Sequence, residues 1–353
     1  MNSLLERLGV PLPVVAAPMA GGPSTPALVA AVGAAGGLGF LAGGYRAPEQ
    51  VREQVRQTRA LGDRPFGVNV FVPGRPDVDR AALEAYAERL RPVAERLGVT
   101  PGEPRWDDDG YAGKLAVLVE ERVPVVSFTF GCPSVDDVAR LKAVGSLVVV
   151  TVTSPAEAAL AAACGADALC AQGAEAGAHR GSFVDDPSSP PGADALGLLP
   201  LLGQLADQPL PVVAAGGLMT GRDVAAALTA GAEAAQLGTA FLCCPEAGTV
   251  AAHRRALLDR AYPGTRFTRA FSGRAARGLA NRFLLEHLDA PAGYPWVHHL
   301  TRPLRTAAAE QGDHDSLHLW AGQGWPLVRE LPAAELVATL GRELAEARVQ
   351  SST

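Results

Sequence analysis

Two apolar segments that end in glycine carry the strongest chemical signal in the chain. Residues 211–217 close on Gly216 and Gly217, and residues 234–239 close on Gln236, Leu237, Gly238 and Thr239, with an amphipathic stretch over 220–230 between them. Parallel strands that end in glycine and turn into a helix present bare backbone N–H groups, and such groups hold phosphate. As the last two strands of a (β/α)8 barrel, the two segments would form the phosphate site of that fold. The ligand expected there is a phosphorylated cofactor.

Gln172 ends another apolar run and leads into a glycine-rich loop, residues 173–181, that carries Gly177 and His179. A histidine at the catalytic face of a barrel can act as a general base or as a neutral hydrogen-bond donor. The duller reading is a loop histidine bonded to a carbonyl; its place after a barrel strand favours function. Glu175 reads as a loop brace. Asn69 lies inside the apolar run 66–71, where an unpaired amide would cost about 1–3 kcal/mol. It either braces a neighbouring loop or contacts a ligand at the strand end, and the second reading leads. Residues 18–22 make a glycine-lined floor in which Met19 is a ligand contact or plain core.

Other features are weaker. Residues 37–42 match a dinucleotide fingerprint in letters but sit in a strand after a helix, so the match is rejected. His314 and His318 have metal-ligand spacing without a zinc motif. The pair His298 and His299 reads as packing or a contact at the substrate mouth. Cys132 follows a strand with no base beside it in sequence, so a small packed residue is expected.

These groups need a scaffold, and the apolar runs supply one. They recur at 14–17, 37–41, 66–71, 125–130, 147–152, 168–172, 212–215 and 234–237. They are continuous, as in parallel strands covered on both faces. Helical stretches over 25–33, 48–60, 135–144 and 155–164 separate several of them, opened by Thr25 and Pro26, Ser134, and Ser154 and Pro155. The fold expected is α/β, a (β/α)8 TIM barrel over residues 1–261, with a small helical extension over 262–353 packed on it. Longer connections at 78–110 and 173–197 would form lids over the site. The last amphipathic stretch, from Ala333, is a candidate dimer surface.

Composition sets bounds. The chain has 353 residues, a formal net charge of −6 and a pI near 5.7, so it has no basic field for nucleic acid. The five cysteines, Cys132, Cys164, Cys170, Cys243 and Cys244, lack zinc spacing and fit a reduced cytoplasm. The apolar stretch 28–44 is broken by glycines, so no membrane span is expected.

Together the motifs resemble one family. Met19 to Gly22, Asn69 in its strand, residues 127–133, Gln172 with Gly177 and His179, residues 214–217, and Gln236 to Thr239 are similar in order and spacing to the nitronate monooxygenases. The similarity continues through residues 269–283 and 320–324. It implies a barrel that binds FMN non-covalently, with Met19, Asn69, Gln172, Gly177, Gly216, Gly217 and Gln236 to Thr239 around the cofactor and His179 facing substrate. It also implies oxidation of alkyl nitronates, such as propionate 3-nitronate, with O2 to a carbonyl compound and nitrite. The alternative within the superfamily is an FMN-dependent NAD(P)H reductase of enoyl thioesters or quinones, since flavin contacts travel further than reaction. A third reading is a non-catalytic subunit that keeps the barrel.

Overall fold

The structure, a computed structural model, describes residues 4–74 and 78–350; the extreme ends of the two expected domains lie outside the described residues. Its strands are β1 (Val14–Ala16), β2 (Leu38–Ala42), β3 (Phe66–Phe71), β4 (Val125–Thr129), β5 (Leu147–Val152), β6 (Ala168–Gln172), β7 (Ala178–His179), β8 (Val212–Ala215), β9 (Ala234–Leu237), β10 (Thr265–Thr268) and β11 (Ala276–Leu279). Eight of them, β1 to β6 with β8 and β9, close a parallel barrel. Closure joins β1 to β9 in the register Val14 to Ala235, Val15 to Gln236 and Ala16 to Leu237. The expected (β/α)8 barrel is the fold observed. Among the described residues no helix is long and apolar enough to cross a membrane.

Alternation along each strand sorts side chains into two layers. Val126, Phe128, Val148, Val150, Leu169 and Ala214 face outward and pack with helix residues such as Leu115, Leu141 and Leu201. Phe40, Val125, Val149, Cys170 and Val213 face inward and form a plug with Leu4 and Leu5 of the first helix. Farther along the same strands the inward set becomes polar. Asn69 Nδ2 reaches Ser127 Oγ at 2.9 Å and Thr129 Oγ1 at 3.0 Å, and Thr129 lies 3.4 Å from Thr151. The barrel is thus oily at its N-terminal end and hydrogen-bonding at its C-terminal end. Burying an aliphatic side chain stabilises by about 1.5–3 kcal/mol, so the oily end carries the fold and frees the polar end for a ligand.

Helix starts follow the capping signals: Thr25, Ser134 and Ser154 each accept from a backbone N–H in the first turn. A second layer covers the polar end. Helix Arg80–Leu97, from the connection after β3, packs with helix Trp296–Gln311 around Leu90, Val297 and Leu300. Tyr86 Oη donates to Ala270 O at 2.7 Å within the same cluster. The region after 261 is more than helical, contrary to expectation. It contributes β10 and β11, which form a three-stranded antiparallel sheet with β7. Each strand is too short to show its own alternation; pairing with a loop distant in sequence makes them strands. The final helix, Ala333–Gln350, buries Leu336, Val337, Leu340 and Leu344 against Leu28, Val32 and Val224. Its apolar stripe is therefore spent within the chain rather than offered to a second copy.

Candidate functional site

The two glycine turns lie side by side at the polar end of the barrel. Gly216 and Gly217 have φ of 139° and 70°, conformations an L side chain resists. A Cβ at Gly217 would sit 2.9 Å from Glu175 Cβ. The helix Gly221–Thr229 differs from the expected phosphate cradle, because its start is already capped. Asp223 N donates to Thr220 Oγ1, Asp223 Oδ2 accepts from Met219 N and Thr220 N, and Gly221 N donates to Glu343 at 2.7 Å. What remains open is the turn before it. The backbone N–H groups of Gly216, Gly217 and Gly238 donate to no acceptor among the described residues. After β9 the chain enters a three-residue 3-10 turn, Thr239–Phe241, rather than a long helix. Thr239 Oγ1 accepts from Gly322 N at 3.0 Å.

Residues 320–324 run across both turns. A Cβ at Gly177 would lie 2.5 Å from Gly322 N, and one at Gly324 would strike Gly217 O. Gly177 thus permits close approach of two backbone segments. Glu175 is the expected brace: its carboxylate accepts from Leu198 N at 3.0 Å and its carbonyl accepts from Gln323 N at 2.9 Å.

The amides of the rim are partly engaged. Gln172 Nε2 donates to His179 O at 3.0 Å, and its Oε1 accepts from Gly181 N at 2.7 Å. Gln172 therefore shapes the loop that carries His179. Gln236 Nε2 donates to Cys170 Sγ at 3.3 Å. The side-chain amide oxygens of Asn69 and Gln236 accept no hydrogen bond among the described residues, and each keeps that capacity for a ligand N–H. Met19 N donates to Ser24 Oγ at 2.9 Å, and Met19 Sδ would lie 3.9 Å from a Cβ on Gly238.

His179 is a strand residue in β7, paired with Ala276 of β11, and not the flexible loop residue expected. Ala178 before it has φ of 62°, a strained value held by the pairing on either side. The imidazole lies among Phe130, Trp320 and Tyr294, with ring centroids 5.6–5.9 Å away. Nε2 lies 2.8 Å from Ser272 Oγ. Burial, then the charges of Arg274 and Arg305, push its pKa down to about 3. Burial in this pocket therefore favours the neutral ring, in line with a neutral hydrogen-bond donor. Arg274 stacks on Phe130 at 4.1 Å.

A cleft of about 280 Å³ opens beside this cluster, lined by Tyr45, Tyr294, His298, Arg46, Arg105 and Arg302, among others. His298 stacks on Tyr45 at 4.1 Å, and His299 Nε2 lies 2.7 Å from Asp107. Both histidines therefore belong to the mouth as well as to packing. His314 pairs with Tyr262 at 2.5 Å, while His318 is half-buried between Phe271 and Trp320. Cys132 packs in the barrel–helix core, and the neighbouring Cys164 thiol and burial push its own thiol up, the reverse of an activated nucleophile. Ser272 and Arg274 lie in the stretch 269–283 through which the family similarity runs, but nothing in the sequence marked them, or Tyr294 and Arg305, as neighbours of His179.

The sequence profile described as nitronate monooxygenase matches residues 2–343. A protein named nitronate monooxygenase from Pseudomonas aeruginosa is 46% identical, covering 96% of this chain and 97% of its own. One of the same name from Paraburkholderia phytofirmans is 45% identical over 97% of this chain and 95% of its own. Among solved structures, nitroalkane oxidase from Streptomyces ansochromogenes is 52% identical with a TM-score of 0.95, covering 99% of this chain and all of that one. FabK from Thermotoga maritima follows at 25% identity and a TM-score of 0.72, covering 99% and 97%.

Proposed function

The chain belongs to the nitronate monooxygenase family, and from that premise we propose that it binds FMN at the glycine turns and uses O2 to oxidise anionic alkyl nitronates beside His179. It is an oxidoreductase acting on nitronates, and its family is one of flavoenzymes. The single observation that carries the finer reading is a neutral His179 set above the hydrogen-bonding end of a barrel that also holds open glycine N–H groups.

The residues present fit the cofactor. Gly216, Gly217 and Gly238 would hold a phosphate through unengaged N–H groups, each charge-assisted bond contributing about 1.5–3 kcal/mol. Asn69 and Gln236 would meet a ring edge with free carbonyl oxygens, with Gln172 and Gly177 shaping the wall and Met19, Leu237 and Thr239 the floor. When bound, the flavin supplies an electron acceptor for the nitronate and an electron donor to O2. The chain's own part is to bind and orient. Arg46, Arg105 and Arg302 attract an anion into the cleft. His179 then offers it a hydrogen bond, while Phe130, Tyr294 and Trp320 exclude water.

The NAD(P)H reductase alternative is not favoured, given the higher identity to proteins named for nitronate and nitroalkane oxidation. Cytoplasmic residence is a proposal from the five free cysteines, and a homodimer is a proposal that the final helix, already buried within the chain, does not support. The test is direct. Purified protein should be yellow and release FMN on denaturation, and it should consume O2 and form nitrite with propionate 3-nitronate without NAD(P)H. A protein that stays colourless after FMN addition, or whose flavin is bleached rapidly by NADH while nitronates are inert, overturns the reading.

A further inference from the structure

We propose that Ser272 is the positioning residue of this site: its hydroxyl donates to His179 Nε2 and holds the imidazole as the Nδ1–H tautomer, which lets the site favour an anionic nitronate over its neutral nitroalkane acid. The inference rests on the reading that His179 faces substrate. Ser272 is 2% exposed, so no solvent competes for its hydroxyl. Its Oγ has three polar neighbours: His179 Nε2 at 2.8 Å, Arg274 O at 3.3 Å and Arg274 N at 3.4 Å. The Arg274 N–H can only donate, and it occupies an Oγ lone pair. The single hydroxyl proton then goes either to Nε2 or to Arg274 O. The shorter separation lies within the usual hydrogen-bond range and the longer one at its outer edge, so the proton is assigned to Nε2; the competing arrangement, Nε2–H donating to Oγ and Oγ–H to Arg274 O, is the one the NMR experiment must exclude.

A neutral imidazole carries one N–H. With Nε2 accepting, that hydrogen resides on Nδ1, which forms no hydrogen bond among the described residues and is not one of the sealed-off polar atoms. Arg274 and Arg305 stand close enough to disfavour a second proton. The opposite tautomer would aim a lone pair at the substrate. It would repel a nitronate oxygen and would suit proton removal from a neutral nitroalkane carbon.

The backbone holds Ser272 in place. Gly273 has φ of 77°, its N donates to Arg269 O at 2.8 Å and its O accepts from Gly293 N at 2.8 Å. A Cβ there would lie 2.6 Å from Gly293 C. Just beyond the turn, β11 pairs Ala276 with His179. Strand register and turn thus fix hydroxyl and ring against each other.

The experiment is 15N NMR of histidine-labelled holoenzyme, with the His179 signals assigned by difference from His179→Asn. A protonated-type Nδ1 and a bare Nε2 are expected. Ser272→Ala should lose that single tautomer and lower kcat/KM on propionate 3-nitronate by about 10- to 100-fold at unchanged flavin content. Ser272→Thr, which keeps the hydroxyl, should restore both, and the ratio of nitronate to nitroalkane turnover should fall only in the alanine variant. Wild-type His179 protonated on Nε2 overturns the proposal whatever the variants do. So does a Ser272→Ala enzyme that keeps both tautomer and rate. A wild type inert to nitronates would refute the functional reading, while the tautomer measurement would still decide this one.

Discussion

His179 and Ala276 are register partners across the antiparallel pair β7 and β11, so the proposed catalytic histidine is stitched into a sheet that the chain completes only after the barrel. This changes what its removal should do. His179→Asn is expected to keep flavin and lose about 10²- to 10⁴-fold in turnover per bound flavin. A residue on a mobile loop would leave stability within about 0.5 kcal/mol. Here the variant also loses the Ser272 bond and three aromatic contacts, a cost of about 1–2 kcal/mol. A melting curve beside flavin-normalised turnover checks both; wild-type turnover per flavin would remove His179 from the mechanism.

Two of the three glycines proposed to hold the phosphate, Gly217 and Gly238, should behave differently. Gly217 has φ of 70° and its Cβ would crowd Glu175, so Gly217→Ala already strains the turn and weakens flavin retention. Gly238 has room, its nearest Cβ neighbour being Ala17 Cβ at 3.6 Å. Gly238→Ala should therefore retain flavin, while Gly238→Asp and Gly217→Asp should lose it through like-charge repulsion of the phosphate. Full flavin occupancy in both aspartate variants would place the phosphate elsewhere.

Acid should destabilise the fold early. Burial is the largest cause in pushing His179 down to about 3 and His253 down to about 4, and it pushes His298 and His318 well below the usual value. In each case the folded pKa is depressed below about 6.5, the unfolded value. The unfolded chain therefore takes up protons that the native chain refuses. Stability from these groups is complete above about pH 6.5 and falls as pH drops toward the folded values, at up to about 1.4 kcal/mol per pH unit for each histidine. Urea midpoints at pH 7.5, 6 and 5 should decline progressively, and His253→Leu should flatten the decline. A midpoint independent of pH would contradict the burial of these rings.

The arginines of the cleft should act on capture rather than chemistry. Arg302 is exposed at the mouth with Arg46 and Arg105. Arg302→Ala is expected to raise KM for a carboxylate-bearing nitronate by about 3- to 10-fold with kcat nearly unchanged, and the effect should shrink as salt rises. Steady-state kinetics at low and high ionic strength measure it. A change confined to kcat would give Arg302 another role.

The sequence alone determined the barrel and marked candidate residues for its rim. Continuous apolar runs such as 147–152 are readable because a strand covered on both faces admits no polar alternation, and Gly216 and Gly217 are readable because few other residues adopt their backbone angles. Asn69 stood out as an amide inside an oily strand, Gln172 as the polar end of another, and His179 as the histidine of the glycine-rich loop that follows it. What the sequence left hidden was everything that depends on distant pairing. Strands β10 and β11 are too short to carry a period, and they exist because β7 supplies an edge. The contact between Ser272 and His179, the burial that depresses the pKa of the ring, the capped helix that leaves only the glycine turn open, and the mouth lined by arginines and aspartates arise from side chains brought together across the whole chain. Local patterns encode which elements form, but proximity and burial, which set hydrogen bonds and protonation, are properties of the packed molecule.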